Sequence, residues 1–130
     1  MSKAIGMAEF KTVTAADAMV KTADVEIIEA ETVCPGKYIV ILTGELSAVN
    51  ASVETAKTLH ATHLIDSFVL GNPAEEIFPA IYGASHVEVV NSLGIIETYD
   101  AAAIIVAADE AAKTADVSLI EIRLARGMCG

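Results

Sequence analysis

The chain has 130 residues, 54% of them apolar, and a net charge of −10, which is enough apolar material for a packed core. Eight basic residues against 18 acidic ones exclude the Lys/Arg-rich surface that draws nucleic acids or anionic lipids, so no nucleic-acid partner is expected. The longest apolar run, Ala101 to Ala108, falls far short of the roughly 18 residues of a membrane span. With no cleavable signal pattern at its start, the sequence reads as cytoplasmic, without a membrane partner.

Lys3 to Phe10 predicts a strand, and Thr14 to Thr22 an alanine-rich helix that Thr14 could cap. Val25 to Val33 predicts the next strand. After the break at Pro35-Gly36, Tyr38 to Leu42 predicts a buried strand close enough to pair with it as a hairpin, whose tip is Cys34-Pro35-Gly36-Lys37. Leu46, Val49, Val53 and Ala56 fall on one face at helical spacing, and His63 to Leu70 supplies a final apolar strand. The order β-α-β-β-α-β is ferredoxin-like, a mixed α/β (α+β) arrangement in which an antiparallel sheet carries both helices on one side. Asn72-Pro73 ends that strand. A short helix and linker lead on to about Val89.

From Ser92 the sequence repeats itself. Gly6-Met-Ala-Glu9 matches Gly94-Ile-Ile-Glu97 at an offset of 94 − 6 = 88, and Asp17 matches Asp109 at 109 − 17 = 92, so the first copy is four residues shorter near its helix. Lys21-Thr-Ala-Asp-Val25 then returns unchanged as Lys113-Thr-Ala-Asp-Val117. The second copy is expected to form a strand to Thr98, a helix over Ala101 to Thr114 and a strand over Val117 to Leu124. This gives a complete domain with its extension over 1–83, a linker over 84–91 and a partial second domain over 92–130. In a ferredoxin-like sheet the third strand lies between the first and second, so the partial copy should not fold alone. Either the natural gene product continues for another half-domain, or another chain supplies the missing half.

The stretches Ala15-Ala-Asp-Ala-Met-Val-Lys-Thr-Ala-Asp-Val25 and Ala107-Ala-Asp-Glu-Ala-Ala-Lys-Thr-Ala-Asp-Val117 resemble the helix of the bacterial microcompartment shell domain. Ala4-Ile-Gly-Met-Ala-Glu9 and Leu93-Gly-Ile-Ile-Glu97 also fit its first strand. Two copies in one chain, with Thr32-Val-Cys-Pro-Gly-Lys37 and Phe78-Pro-Ala-Ile-Tyr-Gly83, resemble more narrowly the tandem-domain shell proteins of propanediol-utilisation microcompartments. The resemblance implies a homotrimer that mimics a six-domain hexagon, a central pore holding an iron–sulfur cluster, and a place in a microcompartment shell. Its partners would be other shell proteins and lumenal redox enzymes. The implied role is structural, with no catalytic residue.

On that resemblance Cys34 takes the pore position. One thiolate cannot hold a cluster, but a cyclic trimer brings three to one axis, enough for three irons of a [4Fe-4S] cluster and leaving the fourth to a non-protein ligand. Without a symmetric partner, Cys34 is a solvent-facing thiol at a turn. Pro35 and Gly36 would line the same pore, joined by Met128 and Cys129 of Gly127-Met-Cys-Gly130, which aligns with the Cys-Pro-Gly turn after a two-residue insertion. No C-x-x-C pair is present, and a reducing cytosol disfavours a disulfide. Lys21 and Lys113 suit the C-terminal dipoles of their helices, and the resemblance adds a role at the edge where tiles meet.

His60, His63 and His86 match no zinc spacing, and Glu29, Glu31, Glu75 and Glu76 do not pair as a general acid and base. Two other functions fit the sequence. One is a shell tile whose pore conducts small metabolites without a cluster; the other is a ferredoxin-like regulatory module that binds a small ligand, because this topology hosts many functions.

Overall fold

The computed structural model describes residues 3–33 and 36–124. It divides into two compact units, 1–73 and 74–130.

In the first unit the elements follow the expected order: β1 (Ala4–Phe10), α1 (Ala15–Thr22), β2 (Val25–Val33), β3 (Lys37–Gly44), α2 (Leu46–Leu59) and β4 (Leu64–Leu70). The strands form one sheet in the order β2-β3-β1-β4, with every neighbouring pair antiparallel. This is the ferredoxin-like topology, in which β3 separates β1 from β2. Ala4, Ala8 and Phe10 of β1 form one core with Ala15 and Met19 of α1 and Val49, Val53 and Ala56 of α2. Leu46, placed on that face by its spacing, is instead exposed in the first turn of α2, and Ser52 takes a buried position.

Gly6 shows how closely α2 approaches the sheet. A Cβ added there would lie 2.6 Å from Val49 Cγ1 and 3.0 Å from Val53 Cγ2, inside any tolerable contact between branched, conformationally stiff side chains.

β2 departs from strict alternation, and the register explains it. Ile27 pairs with Leu42 and Glu29 with Ile41, leaving Ile28 as an extra residue. This bulge re-phases the strand. Val25, Ile27, Ala30 and Thr32 therefore share the register row of the helix-side residues Leu42 and Val40, while Glu26, Glu29 and Glu31 take the opposite row.

α1 is not capped as expected. Thr14 has helical backbone angles and makes no capping bond to the helix, and its Oγ1 lies 3.1 Å from that of Thr12.

The second unit contains α3 (Ile77–Ile81) and α4 (Ala101–Thr114). α4 begins at Asp100, whose carboxylate accepts a 2.7 Å hydrogen bond from Ala103 N, a side-chain N-cap. The strands expected over 92–98 and 117–124 do not form: neither segment carries strand structure. The physical reason lies in the first copy, where β1 and β2 do not pair with each other and each is held by β3. Among the described residues their counterparts have the strand-forming side chains but no strand between them to supply a ladder. Instead, Ile122 N donates to Ala80 O at 3.0 Å and Leu119 N to Glu76 Oε2 at 2.9 Å, tying the last segment to α3.

Candidate functional site: the β2–β3 hairpin and the repeated lysines

The pairing of β2 with β3 runs to Val33 opposite Lys37, so three residues connect the strands. The third, Gly36, is exposed and has φ +64°, the left-handed conformation that closes a three-residue hairpin loop and that glycine adopts without strain. Nothing lies within 4 Å of where its Cβ would be. Of the expected pore residues, Gly36 is therefore placed at an open turn. Cys34, Pro35, Met128 and Cys129 lie outside the described residues.

Directly after the turn stands an ion pair that the sequence did not announce. Lys37 Nζ lies 2.8 Å from Glu9 Oε1, with side-chain exposures of 18% and 0%. The two carboxylate oxygens of Glu9 accept no well-aligned hydrogen bond, so the contact is charge against charge. Across the other edge of β1, Glu9 is in register with Asp66, whose carboxylate accepts from Ser67 N at 2.8 Å. Directly opposed like charges destabilise a sheet, and Lys37 offsets this one. The available signal was Glu9 itself, an acid within the otherwise apolar β1 sequence Ala4-Ile-Gly-Met-Ala-Glu-Phe10.

The repeated lysines behave alike in both copies. Lys21 pairs with Asp17 at 2.7 Å and Lys113 with Asp109 at 2.6 Å, each one helical turn apart. The surroundings differ: the Asp17 side chain is 67% exposed and that of Asp109 only 6%. Asp109 also accepts a 2.7 Å hydrogen bond from Ala74 N, which pins the start of the second unit to α4. Both lysines sit in the last turn of their helices, where a cation is favourable.

The histidines have local roles. The His60 ring meets Phe10 edge to face, with centroids 6.0 Å apart at 74°, and His63 Nδ1 lies 3.1 Å from Thr62 Oγ1, while His86 is exposed. Among the described residues no three His, Cys, Asp or Glu side chains converge as a metal site. Glu29 and Glu31 lie on β2, and Glu76 precedes α3 without a side-chain capping bond, its carboxylate accepting instead from Leu119 N. Near the end of the second copy, Glu121 holds Arg123 at 3.0 Å, raising the guanidinium pKa above its ordinary value through the hydrogen bond first and the charge second.

A family model described as the BMC domain matches residues 4–73 and again 92–129. The chain belongs to the BMC domain family. A BMC relative, the bacterial microcompartment shell protein PduT of Citrobacter freundii, is 39% identical over 134 residues, covering 100% of this chain and 73% of that protein. The carboxysome shell protein CcmK2 of Thermosynechococcus vestitus is 34% identical over 85 residues, 59% of this chain and 83% of the relative. Among solved structures, a microcompartment protein from Desulfitobacterium hafniense superposes with a TM-score of 0.88 at 44% identity, covering 98% of this chain and 73% of the other. The chain is thus a microcompartment shell protein by family, similar to PduT and to carboxysome shell proteins. No helix among its described residues is long and apolar enough to cross a membrane.

Proposed function

We propose that this protein is a non-enzymatic tile of a bacterial microcompartment shell, a homotrimer that mimics a hexagon of six BMC domains around a central pore. The reading places a complete BMC domain with its extension over residues 1–83, a linker over 84–91 and a second, partial domain over 92–130. Its other partners would be neighbouring shell proteins and lumenal redox enzymes.

The observation that carries the pore assignment is the short hairpin connection. Three residues, the first of them Cys34, lie between the paired positions Val33 and Lys37, and Gly36 stands in open space. The donor chemistry suits a [4Fe-4S] cluster only through symmetry, one thiol from each of three protomers. Bound there, the cluster would supply one-electron transfer across the shell. Pro35, Gly36, Met128 and Cys129 would line the same opening. Lys21 and Lys113 are the proposed edge residues, held in their helical pairs until a neighbouring tile competes for them.

The test is iron and acid-labile sulfide analysis with electron paramagnetic resonance on anaerobically prepared protein, wild type beside Cys34→Ser. A cluster signal in the wild type and none in the variant is the expected result. A trimeric wild type without iron would leave the tile and remove the cluster. For the edge, Lys21→Ala/Lys113→Ala protein should fail to form extended sheets under the electron microscope; sheets that persist would sink that assignment.

A further inference from the structure

The repeated aspartate–lysine pair is identical in sequence in both copies and differs in what holds it. Asp17 stands in the first turn of α1 with its side chain 67% exposed, where water and the positive end of the helix stabilise the carboxylate without help from Lys21. Among the described residues its side-chain bonds run to Lys21 alone. Asp109 stands in the second half of α4, too far along for that end to act, and its side chain is 6% exposed. It accepts from Ala74 N at 2.7 Å and from Lys113 Nζ at 2.6 Å.

The lysines inherit this difference. Removing Lys113 leaves a nearly buried carboxylate with one amide donor and no counter-charge, the unfavourable outcome of breaking a buried pair from one side. Removing Lys21 leaves a carboxylate that water already surrounds, and an exposed helical pair of that kind is easily exchanged. Exposure runs the same way, at 72% for the Lys21 side chain and 43% for that of Lys113. The segment that joins the copies is the cause, because it is hydrogen-bonded onto α4 at Asp109 through Ala74.

We propose that the two lysines serve unequal edges of the tile. Lys21 releases its aspartate and donates to an oxygen acceptor on a neighbouring copy of this chain, whereas Lys113 stays on Asp109 and acts as a clasp within the second unit. Around a trimer the two kinds of edge alternate, so each tile is held to its neighbours chiefly through its Lys21 edges. This deepens the shell-tile reading and rests on it.

The test has two arms. In the first, the full chain, kept too dilute to assemble, is treated with a limiting amine-reactive N-hydroxysuccinimide ester, and peptide mass spectrometry reads each lysine separately. Lys21 should be acylated at least about threefold faster than Lys113, Asp109→Asn should bring Lys113 close to Lys21, and Asp17→Asn should change Lys21 by less than about twofold. In the second, electron microscopy should show Lys21→Ala losing as much extended sheet as Lys21→Ala/Lys113→Ala, with an unchanged thermal midpoint. Lys113→Ala should lower the midpoint, and any loss of sheet should follow that drop. Equal acylation of the two lysines overturns the proposal whatever the sheets do. So does loss of sheet in Lys113→Ala equal to that in Lys21→Ala when its midpoint matches the wild type. Sheets that persist in the double variant would instead remove the edge reading, and the proposal with it.

Discussion

Lys37 reaches back from the first position of β3 to place its ammonium 2.8 Å from a carboxylate of Glu9 that is fully buried in β1. The contact fastens the end of the β2–β3 hairpin to β1, an inner strand of the sheet. Lys37→Met strands the Glu9 charge, and breaking a buried pair from one side costs about 3 kcal/mol or more. A double variant, Glu9→Leu/Lys37→Met, removes both charges and should recover most of that loss. Urea denaturation of Lys37→Met, of Glu9→Leu alone and of the double variant measures this directly; equal losses in Lys37→Met and the double variant would show that the charge is not what matters.

Gly6 and Gly94 occupy the same repeat position with opposite surroundings. Gly6→Ala places a methyl 2.6 Å from Val49 Cγ1 and should destabilise the first unit by about 1–3 kcal/mol, the usual cost of overpacking. Gly94→Ala meets nothing within 4 Å and should change stability by no more than about 0.5 kcal/mol. Thermal unfolding of both variants decides the matter.

Asp17 and Asp109 make a second matched pair. Removing Asp17 loses an exposed helical ion pair, worth about 0.2–0.5 kcal/mol. Asp109→Ala deprives both Lys113 Nζ and Ala74 N of a partner at a nearly buried site, an expected loss of about 1–3 kcal/mol. Hydrogen exchange at the Ala74 amide should accelerate in Asp109→Ala and stay unchanged in Asp17→Ala.

These contrasts show where sequence reasoning reached and where it stopped. Val25–Val33 was legible to the residue, and the other first-unit elements to within a residue or two at most ends, because each is written in local periodicity. The Glu9–Lys37 contact was not, since it joins residues 28 positions apart through the sheet register (37 − 9 = 28). The segments 92–98 and 117–124 carry as good a strand pattern as β1 and β2, yet a strand exists only with a partner, and that is a tertiary condition. The hairpin loop was legible as a turn from Pro35-Gly36, and its three-residue length became definite only with the Val33–Lys37 pairing.

The bulge in β2 yields the last prediction. Ile28 is the residue that opposes no partner, and on either side of it the faces already alternate correctly. Deleting Ile28 therefore leaves Val25 and Ile27 in the row of Leu42 and Ala30 and Thr32 in the row of Val40, so the chain should still fold with its native sheet. Deleting Glu31 is different in kind: the register beyond it slips by one, and Thr32 and Val33 exchange faces just before the loop, moving the turn relative to Lys37 and its bond to Glu9. Two-dimensional amide spectra of the two deletions should show a native-like pattern for the first and, for the second, displaced signals at Val33, Gly36 and Lys37. Equal disruption by both would mean that the bulge itself, rather than the phase it sets, is required for folding.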